Sequence, residues 1–238
     1  MLLRSGTNLD IRAIAYLSAL AFIDDPVEAY LYPRRRESPD LFVDVQEGLT
    51  RRNFDRPCGS AIVITLEPSD EGWTGNPDIV GFCILTREGT KWQRPLTYNK
   101  KKKKPAKDAQ EPSEDSDAEP TCPMIDPAHS KAMDDTYREK DSMAFTEEGF
   151  KLPHNRYELC DLGVHPEFRG RGVAKTMVKW VQEKAREEGL PVHTTSTPDG
   201  QGLYQRMGFR KVGRWKWCPV PGTEWDVMHW NPPDTLQK

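Results

Sequence analysis

Val164-His165-Pro166-Glu167-Phe168-Arg169-Gly170-Arg171-Gly172-Val173-Ala174 joins an apolar, strand-like run that begins at Tyr157 to the start of an amphipathic helix. A strand, a glycine-rich turn and a helix N-terminus make an anion site. The first-turn N–H groups lack intrahelical acceptors, and the helix dipole adds partial positive charge there. Gly170 and Gly172 remove side chains that would hold a pyrophosphate away from those N–H groups. The stretch therefore predicts a phosphate-bearing ligand. Two common loops fail by position. A Walker A loop has Gly where this chain has Arg169 and Ala174, although Lys175-Thr176 follow. The dinucleotide fingerprint matches Gly170 and Gly172 and then meets Lys175 in place of its third glycine.

The pattern [QR]-x-x-G-x-[GA] does fit, as Arg169, Gly172 and Ala174. It resembles the acetyl-CoA loop of the GCN5-related N-acetyltransferase (GNAT) superfamily. Val164, Pro166, Arg169 and Gly170 supply that family's V-x-P-x-x-R-G lead-in. Leu203, Tyr204, Gly208 and Phe209 supply its L-Y-x-x-x-G-F signature. The resemblance covers residues 156 to 230 closely, and 1 to 90 by order of elements alone.

That resemblance implies an α/β (α+β) fold: a twisted mixed sheet of about six or seven strands with helices on both faces. Periodicity agrees with it. Thr7-Asn8-Leu9-Asp10 reads as a capping box before a first helix, and Ser38-Pro39 opens another. Residues 60–66 and 78–85 read as a hairpin. Val173 to Glu188 is an amphipathic helix stopped by Gly189 and Pro191, and 191–197, 210–217 and 224–230 read as strands. Residues 1 to 238 form a single domain in this reading. Residues 95 to 152 read as a low-complexity, partly helical insertion between the third and fourth strands. Its lysine run, Lys100 to Lys104, and the acids that follow cannot bury enough apolar surface to order themselves.

The function implied by the resemblance is direct transfer of an acetyl group from acetyl-CoA to a primary amine. Backbone N–H groups of Arg171, Gly172, Val173, Ala174 and Lys175, with Arg169 and Gly170 shaping the turn, would hold the pyrophosphate. Leu162 and Val164 would pair with the pantetheine arm where two strands splay apart. Arg171, Lys175 or Lys211 would meet the ribose phosphate. Tyr204 is the candidate general acid at the thioester sulfur. Glu158, eleven residues before Arg169, is the candidate base. Asp161 is its rival, and a water relay is the third option. Regular strand alternation puts the two carboxylates on opposite faces unless a bulge intervenes. The acceptor would lie near Tyr30, Tyr32, Arg34-Arg35-Arg36, Trp217, Glu224 and Trp225. An alternative from another class is a GNAT-like module kept for CoA binding or protein interaction.

Composition narrows the rest. The 238-residue chain is long enough for a substantial core, and its net charge of −3 argues against binding nucleic acid over its whole surface. The acids beyond Lys104 offset the field of the lysine run. Five scattered cysteines suggest neither a disulfide framework nor a zinc cluster, and no metal cofactor is expected. No apolar run approaches the roughly 18 residues of a membrane helix. The expectation is a cytoplasmic protein with no membrane partner, with Lys100 to Lys104 a candidate nuclear-import run.

Overall fold

The computed structural model describes residues 1–56, 58–89, 124–138, 143–145 and 147–233. Its elements, in chain order, are β1 (Leu2–Ser5), α1 (Ile11–Ala21), α2 (Pro26–Leu31), α3 (Pro39–Phe54), β2 (Gly59–Thr65) and β3 (Ile79–Glu88). Then come α4 (Pro127–Arg138), β4 (Met143–Phe145), β5 (Arg156–Val164), α5 (Val173–Glu188), β6 (Val192–Ser196), α6 (Gln201–Arg206), β7 (Arg210–Lys216) and β8 (Glu224–Trp230). All eight strands form one sheet in the order β1-β2-β3-β5-β6-β8-β7-β4. Only β5 and β6 run parallel, joined by the α5 crossover; the other neighbours are antiparallel.

Local chemistry accounts for the principal elements. Asp10 accepts from the Thr7 N–H at 2.8 Å and takes both Arg4 guanidinium nitrogens at 2.8 and 2.7 Å, pinning β1 to the start of α1. Asp25 caps α2 by accepting from Val27 and Glu28 N–H. Ser38 makes no such bond; Pro39 alone fixes the first turn of α3. Along α5, Val173, Met177, Val178, Val181 and Ala185 are buried, and Gly189 closes the helix in the left-handed conformation.

The sheet divides two apolar layers. One face packs β-strand residues such as Leu85, Leu159 and Met228 under α5 and α6. The other places Val63, Phe82 and Ile84 under α1, with α3 beyond. Gly81 is needed for close approach, because a Cβ there would meet Val173 Cγ1 at 2.5 Å. The N-terminus of α5 thus rests directly on β3.

The strand count is one above the expectation. The extra strand, β4, and helix α4 both lie in the segment read from sequence as an insertion. β4 pairs antiparallel with β7 at the far edge of the sheet. Phe145 packs on Phe150 and Phe150 on the His229 ring, each at 5.1 Å between centroids. The segment returns to the sheet and covers part of its face. The lysine run and its acidic neighbours lie outside the described residues. No helix among those described is long and apolar enough to cross a membrane.

Candidate active site

β5 and β6 pair only at Tyr157↔Val192 and Glu158↔His193. Beyond that point Thr194 Oγ1 donates to Leu159 O at 2.9 Å. The strands then diverge, so residues 160–164 border an opening in the sheet. The quoted glycine turn sits at its end. His165 N–H still bonds Val80 O at 2.9 Å, Pro166–Phe168 makes one tight turn, and Gly170 and Gly172 both take positive φ (75° and 84°). A Cβ at either glycine would meet nothing within 4 Å. The glycines are there for backbone conformation and open onto free space. Thr176 N–H to Gly172 O, 2.9 Å, is the first helical bond. The N–H groups of Val173, Ala174 and Lys175 therefore have no acceptor within the helix. This cradle fits a pyrophosphate.

Three side chains lock the turn. Arg169 donates to Ala21 O, at the C-terminus of α1, at 2.9 Å. Arg171 pairs with Glu71 at 2.9 Å across the Phe168 ring, and Phe168 is buried in the core. Lys175 is exposed beside the cradle. Lys211, in contrast, is on β7 and pairs with Asp226 at 2.5 Å. Leu162 and Val164 line β5 next to the opening and pack toward α5.

Tyr204, on α6, is 6% exposed and edge-on to Phe209 at 5.3 Å. Burial raises its phenol well above the usual range. The neighbouring Cys83 and Asp161 add to this, and a hydrogen bond with Thr194 opposes it. The phenol is thus held protonated, at the same opening.

A bulge decides how the two expected carboxylates sit. β3 pairs Leu85 with Leu159 and Ile84 with Asp161, skipping Cys160. Tyr157, Leu159, Leu162 and Val164 accordingly all face α5, while Cys160 faces α1 and Gly163 lies against Phe82. Glu158 and Asp161 therefore share the α1 side of the sheet. Their surroundings differ. Glu158 lies where β5 and β6 are still paired, bonded to Arg156 at 2.9 Å. Burial raises its carboxyl and the Arg156 bond opposes the rise. His193, in register with it, is 1% exposed and is held neutral by burial, its pKa pushed down to about 3. Asp161 lies past the pairing, half-buried at the opening. Burial pushes it up to about 7, against a bond from the Leu162 N–H.

Opposite Asp161 stands Glu28 of α2, which sequence reading missed. Gln46 Nε2 donates to Glu28 Oε2 at 3.1 Å, and Ser18 Oγ donates to Gln46 Oε1 at 3.0 Å. Burial raises Glu28 to about 8, and the Asp25 and Asp161 charges add to this. Neither Glu28 nor Asp161 has an ion-pair partner among the described residues. The β7–β8 hairpin leans on α2 here. Pro26 lies 3.9 Å from where a Cβ of Gly222 would sit, and burial, with the nearby Asp25 charge adding to it, raises the Cys218 thiol to about 11. On the same side of the sheet Trp217 stacks on Trp215 at 4.9 Å and meets Trp225 edge-on at 5.2 Å.

The remaining acceptor expectations fare differently. Tyr30 stacks on His129 of α4 at 4.1 Å. Tyr32 is core, packed on Phe42. Arg34 pairs with Glu37 and Arg36 with Asp24, while Arg35 is buried and donates to Ile23 O at 2.7 Å. Arg35 is thus held in the fold, while Arg34 and Arg36 stay exposed in surface pairs. Glu224 is exposed at the start of β8.

A split parallel pair, a glycine cradle at its mouth and a buried phenol beside it make up the candidate site. Comparison with known proteins agrees. Residues 134–209 match the model of the Acetyltransferase (GNAT) family. Human N-acetyltransferase 8B is 39% identical over 67 residues, which is 26% of this chain and 30% of that protein. The match thus spans less than a third of that relative. Three solved structures share the fold along nearly the whole chain. A Corynebacterium glutamicum protein described as histone acetyltransferase HPA2 and related acetyltransferase has TM-score 0.55 and 16% identity, covering 99% of this chain and 98% of its own. An N-acetyltransferase from Staphylococcus aureus Mu50 has 0.53 and 15%, covering 96% and 100%. Arylalkylamine N-acetyltransferase 2 from Aedes aegypti has 0.51 and 12%, covering 98% and 99%. Residues 134–209 thus carry the sequence pattern of the GNAT family, and the fold around them is shared along nearly the whole chain.

Proposed function

We propose that this protein is an acetyl-CoA-dependent N-acetyltransferase acting on a primary amine. The observation that carries the reading is the opening between β5 and β6, which has the Gly170–Gly172 cradle at its mouth and Tyr204 and Asp161 at its edge. The names of the relatives, all acetyltransferases, support it. Bound acetyl-CoA supplies the acyl group as an activated thioester.

The residues divide the work. Arg171 to Lys175 offer backbone N–H groups to the pyrophosphate, and Leu162 and Val164 face the pantetheine arm. An acceptor amine, with a pKa around 10, must lose a proton before its nitrogen can attack. Asp161, poised about 7 beside the opening, is the better-placed base. Glu158 stands at the closed end of the strand pair in a bond with Arg156 and tunes the site from there. Tyr204, kept protonated by burial, gives its proton to the departing sulfur. A buried phenol with this neighbourhood favours an enzyme over a module kept only to bind CoA.

The test is thiol release from acetyl-CoA by the purified chain, with and without a panel of primary amines. Amine-dependent release, lost on Tyr204→Phe, is the expected result. Acetyl-CoA binding without release for any amine would favour the binding-module reading.

A further inference from the structure

The acceptor side of the opening holds a second carboxylate that the reaction as described does not use. Glu28 projects from α2, and its direction is fixed from behind. Gln46 of α3 bonds one of its oxygens at 3.1 Å, and Ser18 of α1 bonds Gln46 in turn at 3.0 Å. Ser18 and Gln46 are 1% and 4% exposed. Such a buried chain fixes a rotamer, as a positioned catalytic group requires. Glu28 itself stays half-buried, so part of it remains open to solvent.

The charges around it are Asp25 on its own helix, Asp161 on β5 and Arg35 from the turn after α2. Arg35 is committed to the carbonyl oxygens of Ile23 and Tyr32. Asp199 adds a further negative charge near Asp25. The hairpin contributes Cys218 and the three indoles, none of them cationic. Above about pH 8, where Glu28 and Asp161 are both ionised, a wall built this way welcomes a cation and repels an anion.

We infer that Glu28 completes the acceptor end: with Asp161 it receives a cationic amine, accepts its proton, and turns away acceptors bearing a carboxylate beside the nitrogen. This rests on the acetyltransferase reading. The ammonium gives one proton to the pair, which passes it to solvent. The nitrogen then bonds to the acyl carbon as the carbon–sulfur bond breaks. Sulfur takes the Tyr204 proton, and the second proton shed by nitrogen restores the phenol.

Phenethylamine and phenylalanine make the test, since they differ only by the carboxylate. At a pH above about 8, where Glu28 and Asp161 are ionised, their binding to the full chain saturated with CoA is measured by calorimetry, and kcat/KM is measured with acetyl-CoA. Like-charge contact in a cleft costs enough for the wild type to favour phenethylamine by about tenfold or more. Glu28→Gln should remove most of that preference, and Glu28→Asp should keep part of it. Gln46→Met, which releases Glu28 without deleting it, should weaken the preference less; it serves as the test if Glu28→Gln does not fold. Equal affinity for the two probes, an unchanged preference in the variants, or no binding of phenethylamine while acetyl-CoA still raises the melting temperature each overturns the inference alone. Loss of the acetyl-CoA effect in the wild type would instead sink the reading beneath it.

Discussion

Asp161 is a carboxyl group that the fold keeps half-buried without an ion-pair partner among the described residues, and this has a consequence for stability as well as for chemistry. Its pKa rises from 3.8 to about 7 in the folded chain. Above about pH 4 the unfolded chain has released a proton that the folded chain still holds, so stability falls as pH rises toward 7. Asp161→Asn removes that penalty. The variant should unfold at a higher temperature than wild type at pH 8, gaining on the order of 2 kcal/mol, and match it more closely at pH 5. Parallel melting profiles across that range would show that the group is not perturbed. Activity should move the other way: wild-type kcat/KM should climb through an apparent pKa of about 7 to 8, and the Asn variant should lose most of it. Tyr204→Phe should lower turnover by about 10²-fold or more while leaving acetyl-CoA affinity unchanged. Equal losses of rate and affinity would make Tyr204 a packing residue. The sequence signature led directly to Tyr204. It could not show that Glu158 and Asp161 share a face, because the bulge at Cys160 carries no glycine or proline to announce it. Glu28 was hidden for another reason: its importance arises from Gln46 and Asp161, distant in sequence.

The glycine turn and α5 were legible because their constraints are local. Positive φ demands glycine at 170 and 172, and the apolar stripe of α5 repeats over four turns. Gly172→Val should cost about 1–2 kcal/mol from left-handed backbone strain and abolish the acetyl-CoA response, since its branched side chain would also fill the cradle. Retained affinity would show that the cradle holds something else. Short elements escaped. α2 has six residues and β4 three, too few for either period to show. β4 exists through its pairing with β7, a long-range contact no window of sequence contains. Phe150, which packs on His229 from that segment, tests its worth. Phe150→Ala should lower stability by about 1–2 kcal/mol, the share of a half-buried ring, and leave acetyl-CoA affinity intact. A loss of affinity would mean that the returning segment also shapes the cradle.

Across the whole molecule, the sheet separates two tasks. One layer, α5 and α6, brings the anion cradle and the phenol to the opening. The other, α1 to α3, brings the carboxylates from the opposite side. Divergence of β5 from β6 lets the two meet. Element order and the two C-terminal signatures made this layout readable in advance. The eighth strand and the carboxylates of Glu28 and Asp161 needed three dimensions. The cradle is the feature on which the proposed activity depends, and thermal unfolding with acetyl-CoA examines it most directly. At about a hundred times Kd, linkage gives roughly 2.7 kcal/mol of stabilisation, on the order of 5–10 °C for a chain of this size. A rise of that order in the wild type, absent in Gly172→Val, is expected. An unchanged melting temperature at saturating acetyl-CoA would contradict the acyl-donor site and the transferase built on it.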